Sequence, residues 1–77
     1  MRASELRALP VGTRLVVRYR LHEGPHGATD ALGELDSVDA RTCTLRTRRG
    51  EVVIAIADIV AAKRVPPPPA PRPRAGA

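Results

Sequence analysis

The chain has 77 residues, a net charge of +5 and a sequence pI near 11.0, with eight prolines, one cysteine and one aromatic residue, Tyr19. A single small domain is the most such a length can fold, and one cysteine excludes an internal disulfide; a reduced, cytoplasmic setting is expected. No run of eighteen apolar residues and no signal peptide is seen, so a membrane role is not expected.

The charge is unevenly placed. Within residues 11–65 nine Lys/Arg stand against seven Asp/Glu, and the remaining surplus comes from Arg2, Arg7, Arg72 and Arg74. The body of the chain is therefore nearly balanced, which weakens a nucleic-acid reading drawn from pI alone.

In chain order, residues 1–10 predict an arm with one helical turn over Ala3–Leu9, Leu6 and Leu9 packing downward and Pro10 ending it. Thr13–Leu21 alternates as a strand, with Leu15, Val17, Tyr19 and Leu21 on one side and Arg14, Val16, Arg18 and Arg20 on the other. His22–Ala28 reads as a loop. Thr29–Val38 is a second strand in which Gly33 marks a bend, a bulge or the close approach of another backbone.

Asp39-Ala40 predicts a turn into a hairpin over Thr42–Ile56, closed by Arg49-Gly50 because Gly permits the positive φ of a tight loop. That loop pairs Arg48 with Glu51, Leu45 with Ile54 and Cys43 with Ile56. Cys43, Leu45, Val52, Ile54 and Ile56 then share an apolar face. Across the preceding turn, Leu35 is expected opposite Cys43, Gly33 opposite Leu45, and Leu32 opposite Arg46 on the outside. A one-residue slip would bury arginines, so the choice of face is well specified.

Ala57–Ile59 suits one 3₁₀ turn, and Val60–Val65 a last short strand. The whole predicts an all-β fold: an SH3-like small five-stranded barrel over residues 11–65, closed so that strand edges are hidden, with a 3₁₀ turn before the last strand. Residues 66–77, PPPPAPRPRAGA, predict a disordered proline-rich tail or linker of polyproline II character.

Few residues suggest chemistry. There is no phosphate loop, nucleophile elbow or zinc-type cysteine–histidine set. His22, His26, Glu23 and Cys43 are the only conceivable metal ligands; solvated loop histidines and a buried cysteine are the better reading, and no cofactor is expected. Arg14, Arg18, Arg20 and Arg46 are the candidate contact surface, with the His22–Ala28 loop beside them. They suit phosphates or an acidic protein. Single-strand binders add stacking aromatics, and this chain has no Phe or Trp. Lys63–Pro69 nominally matches a basic proline-rich ligand for an SH3 domain, but reads as a linker.

The runs LPVGTRLVVRYRL, TDALGELDSVD and LRTRRGEVVIAIADIVAAKRVPP, spanning Leu9 to Pro67, resemble the N-terminal SH3-like domain of a group of actinobacterial GNAT-type N-acetyltransferases. The resemblance implies an accessory barrel, joined by a proline-containing linker to an acetyl-CoA-binding domain. No Gly-rich pyrophosphate loop follows here, so acetyl-CoA binding and catalysis carry over to no residue of this chain. The expected function is a non-catalytic docking or positioning module whose partner is a protein: the acetyltransferase domain or its substrate. The alternative is a small basic nucleic-acid-binding barrel.

Overall fold

A computed structural model describes residues 1–24 and 27–66. Helix α1 (Ala3–Ala8) is followed by strands β1 (Arg14–Arg20), β2 (Ala28–Val38), β3 (Thr42–Thr47) and β4 (Gly50–Ala55). A 3₁₀ turn (Ile56–Asp58) then leads into β5 (Ile59–Arg64). The expected elements are all present, within one or two residues of their expected bounds. Residues 67–77, which hold most of the expected proline-rich tail, lie outside the described residues. No helix among the described residues is long and apolar enough to cross a membrane.

The strands form one antiparallel sheet in the order β4-β3-β2-β1-β5. Chain connectivity forces this sheet to curl. The outer strands of a flat five-stranded sheet stand roughly 19 Å apart at ~4.8 Å per step. The four peptide units from Ala55 to Ile59 reach at most about 14 Å. Only a strongly bent sheet lets so short a connection carry the chain from one edge to the other. The barrel-like curl is therefore present, but no ladder joins β4 to β5 among the described residues. The expected closure by strand pairing is not found, and among the described residues both outer strands keep an unpaired edge.

Inside the curl lie Leu15, Val17, Ala31, Leu35, Cys43, Leu45 and Ile54, joined by Leu6 from α1. A six-residue helix is too short to persist by itself. Leu6, only 2% exposed, anchors α1, and the Arg7 guanidinium donates to the Asp39 and Ala40 carbonyls at 3.5 and 3.3 Å. The N-terminal arm is thus part of the folded unit. Leu21, expected inside, is exposed because β1 ends at Arg20 and the chain turns away into the loop.

Both hairpin registers differ from expectation. The β3–β4 loop is Arg48-Arg49, so Thr47 faces Gly50, Arg46 faces Glu51, Leu45 faces Val52 and Cys43 faces Ile54. Gly50 does use a positive φ of 114°, but just after the loop. Thr47 Oγ1 braces the turn, accepting from the Arg49 N–H at 3.2 Å and donating to the Gly50 carbonyl at 2.8 Å. The slip moves each cross-strand partner by two residues, one full side-chain period, so the inward set stays inward. Arg48, expected to pair with Glu51, has no cross-strand partner.

Between β2 and β3, Leu35 faces Leu45 and Glu34 faces Arg46, while nearer the turn Val38 faces Cys43. Asp36 is the extra residue of a bulge. This bulge changes the parity of β2, which lets both Leu35 and Val38 turn toward the core. The turn itself is held by Asp39, whose carboxylate accepts from the Arg41 and Thr42 N–H groups, each at 2.7 Å. Gly33 is the site of close backbone approach. A Cβ there would stand 2.8 Å from the Arg46 carbonyl carbon and nearer still to its oxygen.

Candidate functional site

The arginines expected to form a contact surface lie on the outer face, but most are already engaged. Arg14 stands opposite Glu34 and Arg18 opposite Asp30 in the β1–β2 ladder. Their ion-pair distances are 3.7 and 3.5 Å. Arg46 reaches Asp36 at 2.7 Å. Arg20 faces Ala28 and has no carboxylate partner among the described residues.

Register explains the pattern. Arg14, Glu34, Arg46 and Glu51 occupy one row across β1, β2, β3 and β4, so charge alternates in sign across the sheet. Each exposed pair is worth roughly 0–1 kcal/mol. The larger consequence is electrostatic: the field of this face is cancelled locally, leaving little reach beyond a Debye length.

Two further cations without a carboxylate partner lie at the hairpin tip. Arg48 and Arg49 form the β3–β4 loop, and neither takes part in an ion pair among the described residues. They border a groove of about 930 Å³ between this hairpin tip and the first half of β2, lined also by Tyr19, Ala31, Leu32 and Val52. Sequence reasoning missed this pair because it assigned Arg48 to Glu51. The signal available was the Arg-Arg dipeptide itself, which fits a two-residue loop with no neighbour strand.

The groove runs along an open strand edge. Leu35 donates its N–H to the Thr13 carbonyl at 2.8 Å, and Leu21 donates to the Gly27 carbonyl at 3.1 Å. The β1–β2 ladder is regular between these bonds. Odd-numbered residues of β2 therefore turn their peptide groups toward β1, and even-numbered ones away. Glu34 meets β3, but β3 does not extend along Ala28–Leu32. Asp30 and Leu32 thus present N–H and C=O groups with no strand beside them among the described residues.

The other expected ligands are scattered. His22 Nε2 lies 2.8 Å from Asp58 Oδ1, which ties the β1–β2 loop to the 3₁₀ turn. A smaller cleft of about 310 Å³ beside this pair is lined by no serine, threonine or cysteine. Cys43 is fully buried on the inner face, and burial pushes its thiol pKa up. His26 lies outside the described residues. Among the described residues no three His, Cys, Asp or Glu side chains are grouped as a metal site. The Asp39 carboxyl is held below its ordinary value by the backbone N–H groups of Arg41 and Thr42.

No curated protein and no solved structure matches the chain. Residues 9–63 match a family described as the Rv0428c N-terminal Sm-like domain. The matched segment runs from the end of α1 through nearly all of β5, the whole sheet described above. The description is Sm-like where the sequence resemblance had named an SH3-like barrel; a small five-stranded β domain is common to both. By this match over most of its length, the chain belongs to the Rv0428c N-terminal Sm-like domain family.

Proposed function

We propose that this domain is a non-catalytic docking module that works beside an N-acetyltransferase domain, positioning that enzyme or its substrate in the cytoplasm. The observation that carries the docking reading is the alternating row Arg14–Glu34–Arg46–Glu51, with the second pair Arg18–Asp30. A polyanion binder needs free cations and, for single strands, aromatic platforms. Of the four expected contact arginines, Arg14, Arg18 and Arg46 are engaged by carboxylates and Arg20 alone is unpaired among the described residues. Arg48 and Arg49 are a separate pair at the hairpin tip, and Tyr19, the chain's one aromatic residue, is half-buried against the core. The acetyltransferase association rests on the sequence resemblance over Leu9–Pro67.

Two experiments test this reading. Binding of the chain to a mixed-sequence oligonucleotide should be no tighter than millimolar at physiological salt. Micromolar binding with a steep salt slope, lost in an Arg14/Arg18/Arg20 triple alanine variant, would replace docking by nucleic-acid binding. The second experiment adds the chain to an acetyltransferase catalytic domain encoded in, or next to, its own reading frame. A measurable complex, or a changed KM for the acetyl acceptor, supports the association; finding neither overturns it.

A further inference from the structure

We infer that the open edge of β2 over Ala28–Leu32, together with Arg48 and Arg49, is a strand-addition site for an extended acidic segment of a partner protein. The inference rests on the docking reading and gives it a place and a chemistry.

Two independent features converge there. The first is backbone: Asp30 and Leu32 turn their N–H and C=O groups toward the groove, with β3 absent beside them. Such an edge is a template for an incoming strand, whose main chain supplies affinity while alternate side chains supply specificity. The available track is about 14 Å long, matching a partner segment of roughly five residues. The second is charge. Asp30 and Glu34, the acids of the groove, are already engaged by Arg18 and Arg14, so Arg48 and Arg49 leave a positive surplus.

The chemistry of the occupant follows from period two. A strand lying along the edge sets alternate side chains to opposite sides. Apolar ones can cover Tyr19, Ala31 and Val52, while acidic ones answer the hairpin-tip arginines.

Other occupants fit poorly. A second copy brings its own Arg48 and Arg49 and a net charge of +5 to a site that is already positive. The chain's own residues 66–77 contain no Asp or Glu, carry Arg72 and Arg74, and include six prolines that lack the N–H a ladder needs.

The test uses the full 77-residue chain and a synthetic capped peptide alternating Glu and Val over eight residues. Peptide addition should slow amide hydrogen exchange of Asp30 and Leu32 about tenfold or more, leaving Val16 and Ala61 unchanged. Replacing both loop arginines, Arg48→Glu with Arg49→Glu, should weaken binding about tenfold or more. Leu32→Pro, which removes an N–H that no strand uses, should abolish binding while the circular dichroism spectrum and Tm stay close to wild type. An alternating Lys–Val peptide should not bind.

The inference is overturned if the acidic peptide fails to bind at millimolar concentration, or binds without protecting Asp30 and Leu32. Equal binding of the Lys–Val peptide overturns it too, as does concentration-dependent dimerisation that Leu32→Pro removes. A stable complex with an acetyltransferase domain that survives Leu32→Pro would sink this site while leaving the docking reading in place.

Discussion

The two halves of β2 have opposite surroundings. From Glu34 to Val38 the strand pairs with β3, meeting β1 only at Glu34, and Leu35 is packed against the facing Leu45. From Ala28 to Leu32 it pairs with β1 alone, and its other edge looks into the groove under the hairpin tip. Gly33 is the joint: with no Cβ, it lets the Arg46 carbonyl cross the strand and the sheet bend. Both halves send side chains into the core, Ala31 from one and Leu35 from the other, but only the Ala31 half leaves its backbone edge beside the groove. A continuous eleven-residue strand can thus hold the fold together at one end and remain open to a partner at the other.

The strongest way to break the contrast is to empty the core behind the β3-paired half. Leu45→Ala should cost ~2–5 kcal/mol, enough to unfold a domain this small; a cooperative thermal transition near the wild-type Tm would contradict the core assignment. A proline comparison sharpens it next. Ala31→Pro removes an N–H from the β1–β2 ladder and leaves its acceptor unpaired, at a cost of roughly 1–3 kcal/mol. Leu32→Pro, one residue along, should leave urea unfolding nearly unchanged because its N–H faces the groove. Equal destabilisation by both would mean the edge is not open.

Gly33→Ala tests the joint itself. The added methyl meets backbone rather than a movable side chain, so a loss of ~1–3 kcal/mol is expected from overpacking. A neutral result would show that the strands do not cross so closely.

Smaller effects probe the β1-paired half. Arg18→Ala should change stability by no more than about 1 kcal/mol, since the Arg18–Asp30 pair is exposed. The smallest expected effect is on the acid side. Asp39 has a carboxyl pKa depressed in the folded chain below its ordinary 3.8. Its contribution is therefore present above the ordinary carboxylate range and is lost as pH falls through the depressed folded value. The Tm difference between wild type and Asp39→Asn should be constant at neutral pH and shrink below about pH 4. A difference that grows on acidification would reverse the sign of this linkage.

How far the sequence reaches is clear in particular residues. Alternation in Thr13–Leu21 and Thr42–Ile56 identifies Leu15, Val17, Cys43, Leu45 and Ile54 as inward, because only one parity keeps arginines out of the core. Gly33 is recognisable as a special position for the same local reason: a glycine in a strand has no side chain to pack. The 3₁₀ turn is legible from a connection too short for a helix. The family resemblance reaches the small β domain by the same runs of residues.

The candidate site is much less legible. Arg14 and Arg18 look free in sequence, since their neutralising partners Glu34 and Asp30 lie twenty and twelve residues away and meet them only through strand register. Arg48 looks paired and is not, because the loop took Arg48-Arg49 in place of Arg49-Gly50.

The amino-acid sequence by itself determined most of the side chains that turn inward, how many strands there are and where the chain must bend, since these follow from period-two patterning and local turn chemistry. Leu21 and Val38 are the exceptions, set by where β1 ends and by the bulge at Asp36. Only the tertiary structure decided which charges cancel and which strand edge stays open. Those depend on register and on how far each strand reaches along its neighbour, and a shift of two residues alters both without disturbing a single buried side chain.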